Sequence, residues 1–108
     1  MNAQFLQLEL KNQVATVWIN RPELHNAFNS QVIEELDGCF QHLNTLEDIR
    51  VVILAGRGKS FSAGADLNWM KQAADSSQAD NEADALKLAK MLQSLATLKQ
   101  PTIARVHG

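Results

Sequence analysis

The segment GRGKSFSAGADL, residues 56–67, contains the residue types that most directly suggest chemistry in this 108-residue chain. Its Gly-Lys-Ser triplet is similar to part of a phosphate-binding loop, in which backbone N–H groups and a lysine hold nucleotide phosphates. That loop requires G-x-x-x-x-G-K-[ST], and Ile53 stands where the first glycine should be. The dinucleotide pattern G-x-G-x-x-G begins at Gly56 but has Phe61 in place of its third glycine. Both patterns fail on spacing, so this loop is not expected to bind a nucleotide phosphate.

The second half of the segment, SAGAD at residues 62–66, suits a different anion. Small side chains let a ligand approach the main chain, and a helical pattern begins at Asp66. The first N–H groups of a helix have no partner within it, and the helix dipole favours negative charge there. Such a place can stabilise a developing oxyanion as readily as a phosphate. For residues 56–60 we expect only a glycine-containing turn, with Lys59 and Ser60 in solvent.

Apolar periodicity predicts the elements that position this segment. Residues 6–11 alternate between apolar and polar, and a β-branched and aromatic run follows at 14–19, which predicts a hairpin that turns at Asn12 and Gln13. A helix is predicted after Asn29 or Ser30. Its apolar positions recur at helical spacing: Ile33, Leu36, Phe40 and Leu43.

The second half of the chain predicts one buried strand, two helices and a short strand. Residues 51–55 show no polar alternation, which is typical of a strand covered on both faces in a parallel sheet. Helices are predicted from Asp66 to about Ala74 and from Glu82 to Leu98, with residues 75–80 as a mobile surface linker and a strand at 102–106. The second helix is expected to bury one face: Ala85, Leu88, Leu92 and Leu95. The order β, β, α, β, α, α, β predicts an α/β fold with helical crossovers.

Charge and composition exclude several classes of function. The net charge is −2 and the ten basic residues are scattered, so a nucleic-acid surface is not expected. No apolar run approaches the ~18 residues of a membrane span, and the start of the chain lacks the features of a signal peptide. Cys39 lies among apolar residues and is expected to be buried, which fits a reducing compartment. We therefore expect a cytoplasmic protein that does not bind membranes.

Most other polar residues are expected to have no chemical role. The three histidines lack metal-ligand spacing, so no metal site is predicted. Trp18 and Trp69 are expected to pack. Solvated positions are expected for four glutamates: Glu34, Glu35, Glu47 and Glu82.

Three segments, taken together, resemble the enoyl-CoA hydratase/isomerase, or crotonase, superfamily. They cover nearly the whole chain in the family's order: VATVWINRPELHNAFN, IRVVILAGRGKSFSAGADL and LKQPTIARVHG. FSAGADLNWM is particularly similar to hydratases of the methylglutaconyl-CoA type. The resemblance implies that residues 1–108 form the N-terminal portion of a crotonase-like ββα spiral. It also implies that the second oxyanion glycine and the catalytic glutamates follow residue 108.

The resemblance further implies a binding site. In this family, the N–H of the alanine before the aspartate donates half of an oxyanion hole, and that alanine is Ala65 here. The same segment implies contacts to the acyl-CoA from Ala63, Gly64, Asp66, Leu67 and Asn68. The loop RPELHNAF implies further contacts from Arg21, Glu23, Leu24 and His25. The family often has a lysine-type residue at the position of Glu23, so no charge contact with phosphate is implied there.

The implied function is the acyl-CoA-binding portion of an enoyl-CoA hydratase, a lyase that adds water to an α,β-unsaturated acyl-CoA. Coenzyme A is part of the substrate, and no separate cofactor is implied. Double-bond isomerisation and a non-catalytic acyl-CoA-binding or assembly module remain alternatives. The resemblance also implies a homo-oligomer. We expect the 108-residue chain alone to be inactive and to expose apolar surface through which copies or a partner piece would associate.

Overall fold

The computed structural model describes residues 4–75 and 77–108. Four strands form one mixed sheet in sequential order: β1 (Leu6–Lys11), β2 (Val14–Ile19), β3 (Val51–Gly56) and β4 (Thr102–Ala104). β1 and β2 pair antiparallel, whereas β2 with β3 and β3 with β4 pair parallel. Three α-helices complete the fold: α1 (Ser30–Leu43), α2 (Leu67–Asp75) and α3 (Gln78–Ala96). The predicted α/β fold with helical crossovers is confirmed.

The hairpin and α1 form where the sequence predicts them. Asn12 and Gln13 make the two-residue turn, with φ of 53° and 66°, as a primed turn between twisted strands requires. The side chain of Asn29 caps α1 by accepting a hydrogen bond of 2.9 Å from the Val32 N–H. One helical turn of 3-10 type, Pro22–Leu24, lies in the loop between β2 and α1.

The core lies between one face of the sheet and α1. β2 buries alternate residues on that face: Ala15, Val17 and Ile19. α1 covers them with six buried side chains: Val32, Ile33, Leu36, Cys39, Phe40 and Leu43. Burial raises the pKa of the Cys39 thiol to about 11, so the thiol stays protonated and packs as an apolar group.

The opposite face of the sheet is less covered than predicted. On β3, Val52 is fully buried, but Ile53 on the other face is only half-buried. Ala55, on the same face as Ile53, is 1% exposed, so the prediction of a strand covered on both faces holds at the end of β3 and fails at Ile53. β4 ends at Ala104, two residues earlier than predicted, and its residue Ile103 is 56% exposed.

The predicted mobile linker at 75–80 is wrong. α2 continues to Asp75 and α3 begins at Gln78, while Ser76 lies outside the described residues. Ser77 caps α3, its Oγ accepting a hydrogen bond of 3.2 Å from the Asp80 N–H. The polar residues therefore start a helix: a serine cap satisfies a free N–H, and an acidic first turn complements the dipole.

The buried face of α3 also differs from the prediction. Met91 is 3% exposed, whereas Leu92 is 51% exposed and Ala85 is exposed. α3 packs on α1, and two polar contacts join the helices in this orientation: Ser94 donates to Asp37, and Lys87 pairs with Glu34. Leu88 and Leu95 are half-buried, so the true inner face is rotated by about one residue from the predicted one.

The position of Glu35 also differs from the prediction. Glu34, Glu47 and Glu82 are exposed as expected, but Glu35 is half-buried. Its Oε1 accepts a hydrogen bond of 2.8 Å from the Phe5 N–H, and its Oε2 is buried without a partner in the described structure. Glu35 thus holds the segment before β1 against α1. Within residues 4–75 and 77–108, none of the helices is long and apolar enough to cross a membrane.

Replacing Met91 by alanine is expected to lower the free energy of unfolding by about 2–5 kcal/mol, because it leaves a cavity in the core. Leu92→Ala, on the exposed side of the same turn, is expected to change it by no more than about 0.5 kcal/mol. Urea denaturation of both variants measures the difference. Equal losses would contradict the observed rotation of α3.

Candidate functional site

Two loops meet at the carboxyl ends of β2 and β3. The first covers residues 20–29 and the second covers residues 57–66. Because β2 and β3 are parallel neighbours, both loops leave the same edge of the sheet, where α/β proteins place their ligands. Phe28 and Ala65 form a parallel bridge between the loops. The Phe28 N–H donates to the Gly64 carbonyl at 2.6 Å, and the Asp66 N–H donates to the Phe28 carbonyl at 2.7 Å.

The bridge fixes the direction of the Ala65 amide. In a parallel pair, the residue between the two bonded neighbours turns its own N–H and C=O away from the partner. The Ala65 N–H has no hydrogen-bond partner among the described residues, and Ala65 is exposed. The neighbouring Ala63 N–H, by contrast, is bonded to the His25 carbonyl at 2.9 Å. The fold therefore leaves a free backbone donor at Ala65.

A cleft of about 570 Å³ opens beside this donor. Eight of the ten residues implied by the resemblance line it: Glu23, Leu24, His25, Ala63, Ala65, Asp66, Leu67 and Asn68. The structure thus brings together two loops that are far apart in sequence. Gly64 does not line the cleft; its φ of 87° makes the turn that presents Ala65.

Lys71 lines the same cleft and was missed by sequence reasoning. It lies four residues after Leu67 on α2, so both side chains lie on one face of the helix. That spacing was the available signal. Lys71 is exposed and supplies a positive charge at the mouth of the cleft.

Arg21, for which a contact with coenzyme A is predicted, does not line this cleft but a neighbouring one of about 310 Å³, which also includes Asp66 and Asn68. Its Nη1 lies 2.7 Å from Oδ2 of Asp66 and donates to the Ala27 carbonyl at 2.9 Å. The two charged side chains are 11% and 7% exposed. The guanidinium of Arg21 is therefore paired within the fold and mostly buried.

Asp66 has two tasks on the side of the loop away from solvent. Besides pairing with Arg21, its Oδ1 accepts a hydrogen bond of 3.0 Å from the Trp69 N–H and so caps α2. The Trp69 N–H and the Arg21 guanidinium hold the pKa of Asp66 below its ordinary value of 3.8, although burial acts in the opposite direction. The carboxylate is therefore ionised at neutral pH.

Asn26 joins the two loops from within and was also missed. It is fully buried, and its φ of 57° is in the left-handed region, which asparagine tolerates. Its Oδ1 accepts from the Arg21 N–H at 2.7 Å, and its Nδ2 donates to the carbonyls of Arg57 and Ser60, both at 2.8 Å. One amide side chain thus satisfies three backbone groups from two loops.

The Gly-Lys-Ser turn has a structural role. Gly58 has φ of 83°, and a side chain at Gly56 would lie 2.6 Å from the Phe61 carbonyl oxygen. Lys59 is exposed as expected, while Ser60 is half-buried because Asn26 holds its carbonyl. Among residues 4–75 and 77–108, no group of three His, Cys, Asp or Glu side chains is placed to hold a metal ion.

Comparison with known proteins identifies the family. The enoyl-CoA hydratase/isomerase family matches residues 9–108. A short-chain-enoyl-CoA hydratase of Clostridium acetobutylicum is 37% identical over 94% of this chain and 38% of its own length. A mitochondrial Delta(3,5)-Delta(2,4)-dienoyl-CoA isomerase of Mus musculus is 35% identical over 91% of this chain and 32% of its own length.

The solved structures agree with this match. The crystal structure of an enoyl-CoA hydratase from Shewanella pealeana superposes with a TM-score of 0.94 at 37% identity, over 97% of this chain and 40% of that protein. The chain therefore belongs to the enoyl-CoA hydratase/isomerase family and has part of the crotonase fold. It spans about 40% of the length of that structure.

Replacing Asn26 by alanine is expected to lower the free energy of unfolding by at least about 3 kcal/mol, because three buried backbone groups lose their partner. Asn26→Asp is expected to be similarly unstable near pH 7, since a carboxylate would face two carbonyl oxygens. Asn81→Ala, at an exposed position on α3, is the matched control. Chemical denaturation measures the free energy of unfolding of all three variants. Equal values would rule out this role of Asn26.

The ion pair of Asp66 is expected to make the free energy of unfolding depend on pH. A pKa lowered by folding contributes stability above the unfolded value, and this stability is lost as the pH falls through the folded value. Asp66→Asn is expected to cost about 3–5 kcal/mol near pH 7, where it leaves Arg21 unpaired. The difference from wild type should begin to shrink below about pH 4, where Asp66 of the unfolded chain takes up a proton, and should be lost as the pH falls through the lower pKa of the folded state. Denaturation curves at several pH values measure this; a constant difference would count against it.

Proposed function

We propose that this chain forms the coenzyme A-facing part of an enoyl-CoA hydratase. The observation that carries the proposal is the free, exposed N–H of Ala65 beside the cleft. In the proposed reaction, water adds to an α,β-unsaturated acyl-CoA, and negative charge develops on the thioester oxygen. A preorganised N–H donor aimed at that oxygen stabilises the enolate, and one such donor contributes on the order of 10²–10³ in rate.

The residue types fit that task. Only the main chain of Ala65 acts, and its methyl group leaves room for the acyl group. The Leu24, Ala27 and Leu67 side chains give the cleft an apolar wall suited to the pantetheine arm. Lys71 is the cation that suits a phosphate, and it lines the same cleft as the carboxylate of Glu23.

The groups that transfer protons are proposed to lie outside these 108 residues. Of the four glutamates expected to be solvated, none lines the described cleft. We therefore expect the 108-residue chain alone to bind acyl-CoA without turning it over. A cytoplasmic homo-oligomer that acts in fatty acid or branched-chain amino acid catabolism is the proposed setting of the complete enzyme.

An enoyl-CoA isomerase is the second candidate. The relative from Mus musculus is named an isomerase, and moving a double bond in a thioester develops the same enolate. The Ala65 donor therefore serves both reactions. They differ in the atoms that are added or moved: an isomerase moves a proton from one carbon of the acyl chain to another, whereas a hydratase adds the hydroxyl of water to Cβ and a proton to Cα.

Ala65→Pro tests the donor directly, because it removes the N–H without breaking a hydrogen bond of the described fold. In the protein expressed from its complete reading frame, we expect kcat/KM for hydration of crotonyl-CoA to fall about 10²–10³-fold. Loss of absorbance by the conjugated thioester measures the rate, and circular dichroism checks folding.

Ala65→Gly keeps the N–H and is the matched control, with kcat/KM expected within a few fold of wild type. A 3-enoyl-CoA offered in parallel distinguishes isomerisation, which would form the conjugated thioester. Undiminished hydration by Ala65→Pro would refute the proposed role of the amide. Calorimetry with coenzyme A and the 108-residue chain separates binding from turnover.

A further inference from the structure

The charge of Arg21 is paired with that of Asp66 inside the fold. Its Nη1 contacts Oδ2 of Asp66 at 2.7 Å and donates to the Ala27 carbonyl at 2.9 Å. The centre of its guanidinium lies 5.1 Å from the centroid of the Phe5 ring. The side chain is 11% exposed, so a ligand can reach little of it.

These contacts lie on either side of the bridge that directs the Ala65 amide. Ala27 precedes Phe28, and Asp66 follows Ala65. A single nitrogen of Arg21 therefore holds both strands of the bridge, one through a carbonyl and the other through a carboxylate. If that nitrogen were absent, the loop carrying Ala65 would keep its backbone bonds to Phe28 but lose the charge that anchors Asp66.

We propose that Arg21 is a positioning residue that acts through Asp66 and Ala27 to hold the Ala65 amide in its direction, and that it does not bind the phosphates of coenzyme A. The inference rests on the proposed function of Ala65. Arg21 acts at a distance from the reacting atoms: it touches the loop, and the loop carries the donor.

The rival role, a direct contact with phosphate, conflicts with the burial of the pair. To reach a phosphate, Arg21 would have to leave Asp66, whose side chain is 7% exposed and would remain as an unpaired buried charge. Breaking a buried pair in this way is strongly unfavourable. The cation that lines the cleft is Lys71.

The test compares two substrates in the protein expressed from its complete reading frame. A crotonyl thioester of coenzyme A carries phosphates, and a crotonyl thioester of pantetheine does not. Arg21→Gln is expected to lower kcat by about tenfold to a hundredfold on both thioesters, because a small displacement of a donor is costly. KM for the coenzyme A thioester should stay within about twofold of wild type. Arg50→Gln, at an exposed arginine, is the matched control and should change neither constant.

A double variant shows whether Arg21 acts through the amide. In the Ala65→Pro background, Arg21→Gln should change kcat by less than about twofold, since residues of one network are not additive. If Arg21→Gln lowered kcat by destabilising the whole protein, it would lower kcat in the Ala65→Pro background as well. Arg21→Lys keeps the charge beside Asp66 and provides the same comparison if the glutamine variant does not fold. Its loss of kcat should be smaller, because an ammonium lacks the planar fork.

Two results would overturn the inference. One is a loss confined to the coenzyme A thioester, seen as a raised KM, which would assign Arg21 to phosphate binding. The other is an Arg21 effect of full size in the Ala65→Pro background. An active wild type with a sensitive Ala65 keeps the proposed function in either case. An inactive wild type, or an insensitive Ala65, would instead refute the proposed function and the inference together.

Discussion

The candidate site depends on the Ala65 N–H, which has no hydrogen-bond partner among residues 4–75 and 77–108 although neighbouring backbone groups are bonded. A free N–H is unfavourable in a folded chain unless water or a ligand meets it. Ala65 meets this condition because it is exposed, and because Gly64 and Asp66 take up the two hydrogen bonds from Phe28. The parallel pairing of β2 and β3 brings these segments to the same edge of the sheet. A donor presented in this way is fixed before any ligand arrives, which is the property that electrostatic stabilisation needs.

Two buried polar groups support that edge, and each is satisfied. Asn26 bonds backbone groups from both loops, and Arg21 neutralises Asp66. Buried polar networks stabilise one arrangement only when every member has a partner, since an unpaired member is costly. The apolar core beneath them packs α1 on the sheet, and Phe28 of the first loop packs against that core. Packing and hydrogen bonding together therefore place the loops that form the cleft.

Much of the fold could be predicted from the sequence, because strands and helices have different apolar periods. The hairpin and α1 were predicted with nearly the observed bounds. The inner face of α3 was not, because Met91 and Leu92 are adjacent and equally apolar, and the choice depends on contacts with α1. The sequence did not identify Ser77 as the cap of α3, because Ser77 lies in a polar run that is also typical of a loop. Most of the residues that line the cleft were predicted from the family resemblance. The burial of Arg21 was not, because it depends on Asp66, which is distant from Arg21 in sequence.

The spacing of the two loops has a consequence for variation in this part of the chain. Phe28 is the ninth residue after Ile19, and Ala65 is the ninth after Gly56, so the bridge has the same register as the strand pair. A one-residue shift of this pairing would turn the opposite side of the peptide between Gly64 and Ala65 toward the cleft, so that a carbonyl took the place of the amide. Changes of equal length in the two loops leave the count from strand to bridge the same in both.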